Sequence, residues 1–153
     1  MRHNLLALAV FLVLSVVAQS QTPAHVCIRH LVPPSPYPIF ARLARLQGTV
    51  EAKLKIAADG SVTEAVVESQ DSMLVAHPIL QSETERLLRG WTLECLSCAP
   101  GAPFEHVIKF HYRLEGEDAQ YADTKVSMDL PNEITITARP PLCDHCPVSN
   151  KKH

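Results

Sequence analysis

Val50, Ala52, Leu54 and Ile56 interleave with Glu51, Lys53 and Lys55. Side chains of a strand alternate between its faces, so this segment has one buried face and one wet face. A chain built around such a strand must cover one side of a sheet and leave the other in water. Ala58-Asp59-Gly60 comes next, a hairpin turn signal. A second strand is expected over residues 62–69. Its alternation fails at Ala65-Val66-Val67, which allows either a bulge or burial on both faces.

On either side of this hairpin the period is helical. Over residues 39–47, Ile39, Phe40, Leu43 and Leu46 share a helical face and Arg42 and Arg45 lie outside it. Pro38 suits the first turn, and Gly48 suits a left-handed cap. Over residues 74–91, Leu80, Thr84, Leu87, Leu88 and Trp91 share a face. Either Ser82 and Glu85 form a capping box there, or Pro78 opens the helix. Residues 95–103 read as a loop. A third strand comes after it, with Ile108, Phe110, Tyr112 and Leu114 inward and Val107, Lys109, His111 and Arg113 outward. Residues 115–123 form an acidic loop, and Ile134-Thr135-Ile136-Thr137 is a short β-prone run able to add to an edge. The expected fold is α+β: a three- to four-stranded antiparallel sheet with two helices packed on one face.

Ahead of this body, Arg2 and His3 precede an apolar run of 14 residues from Leu5 to Ala18. That is short of the ~20 residues a bilayer-spanning helix needs, and Ala18-Gln19-Ser20 offers small residues for a signal peptidase. The chain is therefore expected to be exported, with a signal peptide over residues 1–20 and no stable membrane anchor after cleavage. An uncleaved segment held in the inner membrane is the alternative. Residues 21–33 form an extended, Pro-containing lead-in, and residues 139–153 a polar, Cys-containing tail. Lys plus Arg number 14 against 16 Asp plus Glu in 153 residues, so nothing favours nucleic acid.

Tyr37-Pro38-x-x-Ala41-Arg42, then Gly48-Thr49-Val50, Asp59-Gly60-x-Val62, Trp91 and the Phe110/Tyr112 strand resemble the TonB C-terminal domain over residues 34–114. Tyr37, Pro38, Ala41, Gly48, Gly60 and Trp91 read as scaffold: helix entry, close packing, turns and an apolar plug. The resemblance implies a periplasmic binding module of TonB-dependent transmembrane transport. Its partner would be a peptide of an outer-membrane transporter, or another envelope protein, added as a strand to a sheet edge. The edge expected here is the strand of Phe104, Ile108, Phe110 and Tyr112, unless the 134–137 run covers it. Homodimers by strand exchange are compatible with the family. The resembled transducer carries an anchor and a long spacer. Only about a dozen residues precede Pro33 here once the signal is removed, so a stand-alone module without its own drive is expected.

The cysteines are Cys27, Cys95, Cys98, Cys143 and Cys146, an odd number in an oxidising compartment. The last four form two C-x-x-C pairs and are the disulfide candidates. A bridge from Cys143 or Cys146 back to Cys95 or Cys98 would pin the tail. A four-thiolate zinc site is the competing reading, but the gap of 44 residues between the pairs is wide for one. No cofactor, metal or catalytic residue is assigned. His106 and His111, five apart on one strand, face opposite sides. The chain has no G-x-S-x-G, H-E-x-x-H or phosphate-binding glycine loop and is read as a non-enzyme. An envelope structural protein, stabilised by disulfides or metal, is the alternative function.

Overall fold

The computed structural model describes residues 25–34 and 36–142. The signal segment and the tail cysteines Cys143 and Cys146 lie outside them. The elements run β1 (Val26–His30), α1 (Ile39–Leu43), β2 (Gly48–Ile56), β3 (Val62–Glu68), α2 (Ser72–Ala76), α3 (Ile79–Leu88), β4 (Thr92–Cys95), β5 (Phe104–Leu114), β6 (Lys125–Asp129) and β7 (Glu133–Ala138). The α+β class is as expected; the sheet is larger and mixed. It has five strands in the order β3-β2-β5-β7-β6, and β5 pairs with β7 in parallel. β1 and β4 form a separate two-stranded sheet.

The alternation of β2 is fulfilled: Val50, Ala52, Leu54 and Ile56 are all buried. In register on β5 they face Phe110, Ile108, His106 and Phe104 respectively, and Tyr112 faces Gly48. Leu80, Thr84, Leu87 and Leu88 of α3 and Trp91 beyond it close over this layer. Trp91 packs at 45° against Phe110, with ring centroids 6.2 Å apart. On the wet face, Glu68 and Glu64 pair with Lys53 and Lys55 at 2.8 and 2.7 Å. The register of β2 and β3 shifts between Lys55 and Ile56, which places the irregularity beside the turn.

Gly60 takes φ +89°, and a Cβ there would collide with the backbone carbonyl of Leu93. The Leu93 N–H donates to Gly60 O at 2.8 Å, so the hairpin turn joins the two sheets. The hydroxyl and amide of Ser61 donate to Asp59 and hold its carboxyl below the usual range. The lead-in is tied down by β1–β4 pairing and by the Trp91 indole N–H, which donates to Val32 O at 3.0 Å.

Several local expectations change. Residues 74–91 hold two helices, not one. Asp71 caps α2 by accepting from the Met73 and Leu74 amides, and Pro78 opens α3, so the alternative to the capping box holds. The left-handed residue after α1 is Arg45 (φ 52°), while Gly48 begins β2 at φ 146°.

The largest reversal is in α1. Ile39, Phe40 and Leu43 are 63%, 72% and 59% exposed, whereas Ala41 and Arg42 are buried. Ile39, Phe40 and Leu43 do share a side of this five-residue helix, but it is the side turned to solvent, and Leu46, which is buried, lies beyond the helix. Packing turned inward the side with the smallest residue, Ala41, and the longest donor, Arg42.

Candidate functional site

The strand expected to be a free edge is interior. β2 covers one side of β5 along Phe104–Tyr112, and β7 covers the other along Lys109–Leu114. Ile108, Phe110 and Tyr112 are buried core residues, and only Phe104 is half-buried. Phe104 and Ile108 lie on the part of β5 that β7 leaves unpaired, but Ile108 has no exposed surface to offer. The outer strands are β3 and β6.

Two devices hold β7 in place. The first is apolar burial. Ile134, Ile136 and Ala138 have at most 2% exposure, and withdrawing either isoleucine from the core would cost about 1.5–3 kcal/mol. The second is Arg42, 5% exposed. Its Nε donates to Arg139 O at 2.7 Å, Nη1 to Gln120 O at 3.3 Å, and Nη2 to the carbonyls of Ala119, Tyr121 (3.2 Å) and Pro140 (3.1 Å). Five carbonyl dipoles replace the counter-ion a buried guanidinium requires. Arg45 adds an ion pair to Asp118 at 2.7 Å and donates to Pro141 O. Thus Arg42 of α1 and Arg45 just after it clamp the segments before β6 and after β7, and β7 is an integral part of the core.

The same corner holds a buried tyrosine pair. Tyr37 and Tyr112 meet edge to face at 87°, with centroids 5.6 Å apart. The Tyr37 hydroxyl donates to Leu46 O. Thr84 Oγ1 lies 2.8 Å from both Leu80 O and the Tyr112 hydroxyl. Because Thr84 donates to the carbonyl, Tyr112 donates to Thr84. Burial pushes Tyr112 up to about 12; burial, and then the neighbouring Tyr112, push Tyr37 up further.

β6 is the new outer strand beside this covered edge, and all five of its residues are exposed. Sequence periodicity marks no strand there, because Val126 and Met128 are its only apolar residues. A groove of about 840 Å³ opens beside it, bordered by Lys125, Ser127, Thr137 and Arg139.

The cysteine expectation is corrected in part. Cys95 and Cys98 bridge each other, with Cα atoms 5.4 Å apart. Neither is left to bridge to Cys143 or Cys146, nor to complete a four-thiolate zinc set. Cys27 is a free thiol on β1. His106 and His111 do face opposite ways: His106 meets Pro131 O, and His111 meets Thr49 on the wet face. Among the described residues, no three His, Cys, Asp or Glu side chains gather as a metal site. No helix among them is long and apolar enough to cross a membrane.

The geometry defines a small α+β domain with two outer sheet edges, one of them supplied by a C-terminal hairpin. The family model described as Gram-negative bacterial TonB protein C-terminal matches residues 33–114, more than half of the chain, and the chain belongs to that family. It is a periplasmic, non-enzymatic family of TonB-type envelope transport, whose domains interact with outer-membrane transporters. No curated protein matches the chain. The family match ends at Leu114, the last residue of β5, so β6, β7 and the segments Arg42 grips lie beyond it.

Proposed function

We propose that the chain is an exported TonB C-terminal-like module that binds an extended segment of an outer-membrane transporter by strand addition at the outer edge of β6. The observation that carries this reading is the full exposure of the outermost strand beside a β5 edge that is already filled. Strand addition needs open backbone donors and acceptors on a firmly held strand. β6 supplies the former, and the buried β7 and Arg42 supply the latter. On this reading the docking edge has moved outward by two strands, and Phe110 and Tyr112 support it from within.

The test is a titration of the isotope-labelled chain with peptides tiling the periplasm-facing segments of the host's outer-membrane transporters. Amide shifts over residues 125–129 are expected. The Lys109 and Glu115 N–H groups donate to Asn132 O and Ala138 O, so the odd-numbered β7 residues bond Lys125, Ser127 and Asp129 and the N–H of Val126 points outward. Val126→Pro, which removes it, should abolish the shifts without unfolding the protein. Shifts over 109–114 with release of the hairpin would overturn the assignment to β6, and no response to any peptide would overturn the docking function. The structural alternative, an envelope protein that keeps the fold without transport coupling, is favoured by the Cys95–Cys98 bridge and the filled β5 edge; it predicts that second result.

A further inference from the structure

The wet face of the sheet carries a groove of about 570 Å³, floored by Thr49, Glu51 and Lys53 of β2. We propose that it is a binding site for a short peptide held by both of its free ends, the ammonium at Asp71 and the carboxylate at Lys109. The site is separate from the β6 edge, because β7 lies between β6 and β5. It neither needs nor excludes docking there.

The two walls offer opposite charge. Residues 68–71, where the chain leaves β3, make one wall, and Lys109 and His111 of β5 make the other. Glu68 is already matched by Lys53 at 2.8 Å. Asp71 is only half used. Its Oδ1 accepts from the Met73 and Leu74 amides, and its Oδ2 takes no hydrogen bond among the described residues. Across the groove, Lys109 stands in register between Glu51 and Glu133, yet its ammonium makes no ion pair among the described residues. His111 on the same wall is fixed, with Nδ1 2.9 Å from Thr49 Oγ1 and Nε2 3.7 Å from Glu133. One wall thus holds an uncommitted anion and the other an uncommitted cation.

That arrangement narrows the ligand. A simple anion such as phosphate would meet Glu51, Glu68 and Asp71 around the same space. A metal cation would meet Lys53 and Lys109, and among the described residues no three carboxylate, thiol or imidazole groups gather to hold one. An apolar molecule would gain little from a floor of charged and hydroxyl groups. What fits is a dipolar molecule whose charges stand apart. The walls follow β3 and β5, which flank β2 and lie two strand spacings apart, about 9.5 Å. An extended chain advances about 3.3–3.6 Å per residue, so three residues bring an ammonium and a carboxylate to that separation. The volume is in the range that small-ligand sites use.

The test is a chemical-shift titration of the isotope-labelled full chain with trialanine. Shifts are expected at residues 49–53, 68–71 and 109–111 and not at 125–129. Exposed ion pairs are weak, so blocking either end of the peptide should cost about threefold to fivefold in affinity. N-acetylation removes the ammonium, and C-terminal amidation removes the carboxylate. Asp71→Asn keeps the oxygen that caps α2 and removes the charge, so its binding should no longer respond to N-acetylation. Lys109→Gln should make binding indifferent to amidation in the same way. A merely distorted groove would respond to both blocks alike. Absence of shifts in the groove, equal binding of the free and the doubly blocked peptide, or variants that keep both responses would overturn the inference. Transporter segments are read at 125–129 instead, so failure of this site leaves the docking reading standing, and failure of docking leaves this site.

Discussion

Arg42 shows how one side chain can decide which strands a sheet ends in. It sits inside the Tyr-Pro-x-x-Ala-Arg motif, and all five of its acceptors come from carbonyls at 119–121, 139 and 140. Arg42→Ala would remove a buried charge's bonds and leave those carbonyls unmatched. Stability should fall by about 3 kcal/mol or more in denaturant titration. Arg42→Lys should recover only part, because a single ammonium cannot span that set of acceptors. A loss below about 1 kcal/mol for the alanine variant would contradict the clamp. The motif is legible in the sequence, but this role is not. Helical periodicity assigns a charged residue to solvent, and the carbonyls that draw Arg42 inward lie some 77 to 98 positions away.

The elements that meet at the Tyr37–Tyr112 contact are α1, α3 and β5, and that junction is pH-sensitive. Tyr112 is held neutral up to about 12, and Tyr37 is displaced in the same direction, against an ordinary value of 10.0. The unfolded chain gives up these protons first. The stabilisation is therefore complete below pH 10 and declines as pH rises from 10 toward 12. Denaturation midpoints measured against pH should fall in that window, with tyrosinate absorbance of the two buried rings appearing only as the fold is lost. Ionisation of both rings near pH 10 in a protein that keeps its near-ultraviolet dichroism would contradict this. Elements with strong periodicity are readable from sequence: β2, β5 and the buried face of α3 obey their alternations. Short ones are not. β4 has four residues, and α1 and α2 have five each, too few for a period to declare itself. β6 escapes sequence reading for the same reason, and with it the change of edge.

At the scale of the whole molecule, the family-matched part ends where β5 ends, and the segment beyond it turns that last strand into an interior one. The Ile134–Thr137 run is recognisable in the sequence as able to cover that edge. That it does so in parallel, through a hairpin with its own outer strand, depends on contacts between residues distant in sequence. Amide hydrogen exchange tests this arrangement most directly. The N–H groups of Lys109, His111, Arg113 and Glu115, which face β7, should exchange as slowly as the core of β2, while those of Val126 and Met128 exchange rapidly. Exchange from Lys109 to Glu115 as fast as that of Val126 and Met128 would mean that the hairpin leaves β5 open, and would contradict the account.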